Sequence, residues 1–122
     1  MLFALCFPAV ALMPEAQATN FRWQCVTFAR SFSGIEIRGN AHTWWEQSAG
    51  RYHRSSRPEV GAVLVFKSFG TGGMRLGHVA TISEVLNNRE VLITHANWTG
   101  KGEVDTNVRA VDVSPSGDWS RV

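Results

Sequence analysis

A chain of 122 residues, 44% hydrophobic and 18% charged, is the size of one domain with a single core, which excludes a disordered or fibrous protein. Twelve basic residues against ten acidic ones leave a formal charge of +2. That charge is not gathered into blocks, so there is no footprint for nucleic acid, and only weak contact with an anionic polymer would suit it.

The first element is "MLFALCFPAVAL", followed by "MPEAQA". An apolar h-region ahead of Ala16-Gln17-Ala18 reads as a secretory signal peptide over residues 1–18. The run is too short to cross a bilayer, so no stable membrane span is expected. A retained apolar anchor and a buried first helix are the alternatives. The positively charged n-region is missing, which points to a true start further upstream. Leu5 is a poor residue ahead of a lipid-modified cysteine, so Cys6 is not read as a lipoprotein site. Cleavage would remove Cys6 and Glu15, the segment's only charge, leaving 12 basic against 9 acidic residues. Cys25 is then the sole cysteine of an exported domain. It cannot close a disulfide within the chain, and so either pairs between chains or is a reactive thiol.

From Thr19 to Val122 the chain reads as one domain, with no repeat, low-complexity tract or linker. A helix is expected from about Phe21 to Phe32, with Cys25, Phe28, Ala29 and Phe32 on one stripe, Thr19 or Asn20 as cap, and an end at Ser33-Gly34. A second, "NAHTWWEQSA", has Asn40 as N-cap and stops at Gly50. The pattern then changes to strands. "GAVLVF" is a continuous apolar run suited to a central strand buried on both faces. The Gly-rich "GTGGMRLG" reads as a loop, and "HVATISEVL" and "EVLITHANW" as the arms of a β-hairpin around "NNR". "RAVDV" and "WSRV" are further strand candidates. Helices first and an antiparallel sheet afterwards give an α+β fold, with the helices on one side of the sheet.

Cys25 lies in the first turns of its helix, where free backbone N–H groups and the helix dipole favour a thiolate. A histidine would complete the activation. Of the four, His42 and His53 read as surface residues. His78 and His95 lie on opposite arms of the hairpin. A two-residue Asn87-Asn88 turn of type I′ makes paired residue numbers sum to 175. His78 then faces Asn97 and Ala80 faces His95, on a surface where cross-strand Cβ atoms are about 4.5–5.5 Å apart. A one-residue slip would set His78 against Trp98 instead. The plainer reading makes "GHVATI" and "THANW" ordinary strands with polar ends, but it leaves the free thiol unexplained.

"QCVTFAR", "GNAHTWW", "PEVGAVLVF", "GHVATISEV" and "ITHANW" occur in that order. From about Trp23 to Trp98 they resemble the CHAP family of cysteine, histidine-dependent amidohydrolases and peptidases. The resemblance implies a papain-like fold in which a helix presenting the cysteine packs on an antiparallel sheet bearing the histidine. It makes Cys25 the nucleophile and His78 the general base, and it implies cleavage of amide bonds in peptidoglycan or a wall-derived peptide, with no metal or other cofactor. Many such domains carry Glu-x-Asn where this chain has His95-Ala96-Asn97. His95 is expected as third catalytic member, with Asn97 supporting it or taking over the orienting role. An amide would fix the tautomer of His78 without stabilising its imidazolium as a carboxylate does. Trp23, Trp44, Trp45 and Trp98 are candidates to wall the groove, although each could equally be core. Two competing readings are a non-catalytic wall- or glycan-binding module and a zinc site. No CxxC or HExxH spacing supports the latter.

Overall fold

The computed structural model describes residues 23–68 and 75–122. The predicted signal segment with Cys6, the expected caps Thr19 and Asn20, and most of the Gly-rich loop lie outside the described residues.

Helix α1 spans Cys25–Ser33, starting at the first residue of the apolar stripe and not at the expected Phe21. Gln24 is its N-cap, with its backbone N–H donating to Thr27 Oγ1 while that hydroxyl donates back to Gln24 O (3.2 and 3.0 Å). The later start leaves Cys25 at the first helical position, where backbone N–H groups have no partner within the helix. Gly34, with φ 79°, closes the other end as expected, and its N–H donates to Arg30 O. The buried face consists of Phe28, Ala29 and Ser33. Phe32 is not part of it: it is 52% exposed and stacks on Phe28 from outside, at 5.4 Å between ring centroids. The second helical signal resolves into a 3₁₀ turn, Ala41–Thr43, and a short helix α2, Trp44–Gln47. Asn40 stands at its N-terminal boundary as read from the sequence, but the helix ends before Gly50.

Four strands, β1 Val63–Phe66, β2 His78–Asn87, β3 Glu90–Ala96 and β4 Val104–Val111, form an antiparallel sheet in the order β1-β2-β3-β4. The apolar β1 is therefore an edge strand, only partly buried, and not the central strand its composition suggests. Among the described residues one of its edges has no neighbouring strand, while β2 and β3 take the buried centre. "WSRV" is not a strand. Val113 N–H bonds Arg121 O, and Trp119 reaches back to Asn88 O through its indole N–H.

Successive residues of β2 point to opposite faces, and each face has its own core. Ala29, Ile37, Ala41 and Trp44 pack with Val79 on the helix side, joined by Cys25. Ala80, Ile82, Val91, Ile93 and Ala110 pack on the other, joined by Phe66 and Trp119. The result is an α+β architecture with the helices on one side of an antiparallel sheet.

The hairpin turn is Asn88-Arg89, since Asn87 pairs with Glu90. Paired numbers near the turn thus sum to 177 rather than 175. Two register shifts, between Ile82 and Glu84 and between Val85 and Asn87, each place an extra residue in β2. By Thr81↔Thr94 the sum has returned to 175. The turn lies one residue further along than the sequence suggests, yet at Thr81↔Thr94 the register is the one read from it, because the two bulges offset that displacement.

Candidate active site

Two strands and a helix end meet at the start of β2. Gly77, in the left-handed region at φ 75°, delivers the chain into β2 under close cover. A Cβ there would lie 2.7 Å from Phe66 O and 2.8 Å from His42 N. His42 holds the preceding Leu76 carbonyl through Nδ1 at 3.0 Å, a structural task at an exposed position. His53 is likewise exposed.

His78 is buried at 4% exposure, and Phe66, its pairing partner on β1, stands with its ring 5.6 Å away. His78 Nε2 and His95 Nδ1 are 2.7 Å apart, with the rings edge-on at 74°. Trp98 covers both, 4.9 Å from His78 and 5.8 Å from His95 between centroids. Burial and then the neighbouring His95 push His78 down to about 4, so its imidazole is neutral over most of the pH range. His95 is also lowered by burial, partly opposed by the Asp105 carboxylate.

The Cys25 thiol packs at the same strand end, in the cluster that contains Val79, and the Val79 backbone N–H is among the groups that favour its thiolate. Further backbone N–H groups, from Val26 and Cys25 itself, favour the thiolate, as expected at a helix start. Burial outweighs them, and the thiol is pushed up rather than down. In the free protein Cys25 thus carries a neutral thiol packed in the cluster of Val79, and the preceding residue of the strand, His78, carries a neutral imidazole.

The other candidates separate. Asn97 adopts φ 66° and turns its side chain into the β3–β4 loop, where Oδ1 accepts the Gly102 N–H at 3.0 Å. It is occupied with that loop rather than with His78. Trp44 is 1% exposed, its indole N–H bound to Gly39 O, and so belongs to the core and not to a groove. Trp45 is exposed under the Arg54 guanidinium and lines a pocket of about 110 Å³ with Tyr52 and Arg57, apart from Cys25 and His78. Trp23 packs edge-on against Phe28, two residues from the thiol. A larger open cavity of about 790 Å³ on the sheet's outer face is lined by Phe66, His95, Trp98 and Trp119.

Asp105 was missed by the sequence reading. It pairs with His95 across β3 and β4, with Oδ2 3.9 Å from His95 Nε2. No motif marks it, and only the β3–β4 register could have revealed it.

A comparison with curated proteins finds no match. Among solved structures the chain is similar to that of N-acetylmuramoyl-L-alanine amidase from Staphylococcus aureus, with a TM-score of 0.62 and 23% identity. The likeness covers 80% of this chain but spans only 28% of that one. It is a likeness of fold, and it agrees with the helix-on-antiparallel-sheet arrangement around Cys25 and His78. The model of the CHAP domain matches residues 16–97, well over half the sequence, and the chain belongs to the CHAP domain family.

Proposed function

We propose that this protein is an exported cysteine hydrolase that cleaves amide bonds in peptidoglycan, of the N-acetylmuramoyl-L-alanine amidase or endopeptidase type. The observation that carries the reading is the convergence at the start of β2. A thiol at the first position of α1 packs against the cluster of Val79, and the preceding residue, His78, is held by His95 at 2.7 Å.

The chemistry is acyl transfer. His78 takes the proton from the Cys25 thiol, and the thiolate attacks the amide carbonyl. The oxyanion faces the Cys25 backbone N–H together with a second donor. His78 returns the proton to the leaving amine, and water then hydrolyses the thioester. With a neutral thiol and a neutral imidazole at rest, the proton transfer accompanies attack on the carbonyl, where the negative charge moves on to the oxyanion. Export follows from the apolar segment and Ala16-Gln17-Ala18.

The substitution of the family's carboxylate by His95 favours one second reading, a wall-binding module that retains the fold. Mass spectrometry of fragments released from purified peptidoglycan separates the two. Wild type is expected to release fragments whose new ends identify the bond cut, and Cys25→Ala to release none. Equal digestion by Cys25→Ala would end the catalytic reading. Binding without release by wild type would establish the module.

A further inference from the structure

We propose that Asp105 is the carboxylate of this site, a positioning residue that acts on His78 through His95. The inference rests on the reading of His78 as general base.

The register of β3 and β4 is the first ground. Ile93 pairs with Val108, but His95 pairs with Asp105, so β4 carries one extra residue over this step. Without it His95 would face Thr106. The extra residue lies beside Asn107, which is left-handed at φ 54°, a conformation that asparagine tolerates better than most side chains. Asn107 is anchored from both sides: its N–H donates to Thr94 Oγ1 at 3.3 Å, and Ser83, the extra residue of β2, donates its hydroxyl to Asn107 Oδ1 at 2.8 Å. Bulges beside active sites re-aim side chains, and this one turns a carboxylate toward a buried imidazole.

The second ground is an unpaired atom. His95 is 3% exposed, and its Nε2 has no hydrogen-bond partner among the described residues. A buried ring nitrogen left without a partner is costly. The charged group facing it is Asp105, 3.9 Å away. Thr99 Oγ1 lies 2.9 and 2.8 Å from the two carboxylate oxygens and holds them in place.

Proton placement supplies the consequence. His78 Nε2 faces His95 Nδ1, and only one of the two carries the hydrogen between them. If it belongs to His95, the proton of neutral His78 sits on Nδ1 and that nitrogen cannot act as a base. If it belongs to His78, Nδ1 is bare, and the proton of neutral His95 sits on Nε2, facing Asp105. A carboxylate at that end selects the second arrangement. When His78 accepts the thiol proton at Nδ1, the positive charge is shared through the Nε2–H···Nδ1 bond with His95, and thereby with Asp105. No proton is gained or lost overall, and the charge is only relocated toward the anion. The carboxylate that the family places directly beside its histidine is here one imidazole further away.

Two readouts test this on the full chain. Long-range ¹H–¹⁵N NMR of the imidazoles at neutral pH is expected to show both His78 and His95 as Nε2–H tautomers in wild type, and Asp105→Ala to move His95 toward Nδ1–H. Asp105→Ala is also expected to lower kcat roughly 10- to 100-fold, as loss of an outer partner of a histidine does. KM should change little, and the acid limb of the pH profile should move to lower pH. Asp105→Glu should recover most of the rate. Wild-type His95 as the Nδ1–H tautomer would overturn the proposal, and so would wild-type tautomers and kcat in Asp105→Ala. Should Asp105→Ala not fold, the wild-type tautomers and Asp105→Glu decide it. If wild type releases no peptidoglycan fragments, the functional reading fails, while the tautomers still decide whether Asp105 sets the pair.

Discussion

His78 and His95 meet ring edge to ring at 2.7 Å between Nε2 and Nδ1, sealed beneath Trp98. Each ring is the other's hydrogen-bond partner in a site that admits little water, so neither can be removed without orphaning its neighbour.

His95→Ala should therefore leave His78 Nε2 buried without a partner, at a cost of about 1–3 kcal/mol. It should also lower kcat roughly 100-fold or more, through loss of the tautomer that makes His78 a base. His95→Glu would place a carboxylate directly beside His78 and is expected to raise the His78 pKa from about 4. Paired kinetics and imidazole NMR titrations check both outcomes, and an unchanged kcat in His95→Ala would remove His95 from the site.

Stability should depend on pH through the same pair. His78 titrates at about 4 in the folded protein and near 6.5 when unfolded. Between these values the unfolded chain binds more protons, so stability rises with pH. The contribution is complete above about pH 6.5 and is lost as pH falls toward 4. It amounts to about 3 kcal/mol for His78, and His95 acts in the same direction. Urea midpoints measured across this window should fall on acidification, and His78→Gln should flatten the curve. A midpoint independent of pH in wild type would contradict the burial of neutral imidazoles.

Cys25 should alkylate slowly at neutral pH. Burial raises its thiol pKa despite three backbone N–H groups that favour the thiolate. The rate of iodoacetamide labelling is expected to rise with a midpoint above that of an ordinary thiol, about 8.5. A midpoint below that value would show a preformed thiolate and overturn the neutral resting pair.

Gly77→Ala should fail on two counts. The backbone at φ 75° disfavours a side chain, and the new Cβ would meet Phe66 O and His42 N at 2.7 and 2.8 Å. A loss of about 2 kcal/mol or more is expected, together with displacement of His78. Denaturant unfolding reads the first and peptidoglycan digestion the second, and a variant of wild-type stability and activity would refute the role given to this glycine.

The apolar stripe and Ser33-Gly34 placed a helix behind Cys25, the alternating segments placed the hairpin, and the motif order placed Cys25, His78 and His95 together as candidates. The helix and the hairpin were legible because they depend on neighbours within a few residues, where periodicity and turn chemistry act, whereas the roles of Cys25 and His78 came from the family resemblance. Phe32 and β1 were misjudged, since burial depends on which surfaces arrive opposite and an apolar strand reads alike at the edge or the centre of a sheet. The hairpin register was correct from a wrong turn, because two bulges offset an error that local sequence does not encode. Asp105 and the left-handed Asn107 were invisible for the same reason. Strand register sums every bulge between two residues, so the partner of His95 was decided only when β3 and β4 closed against each other.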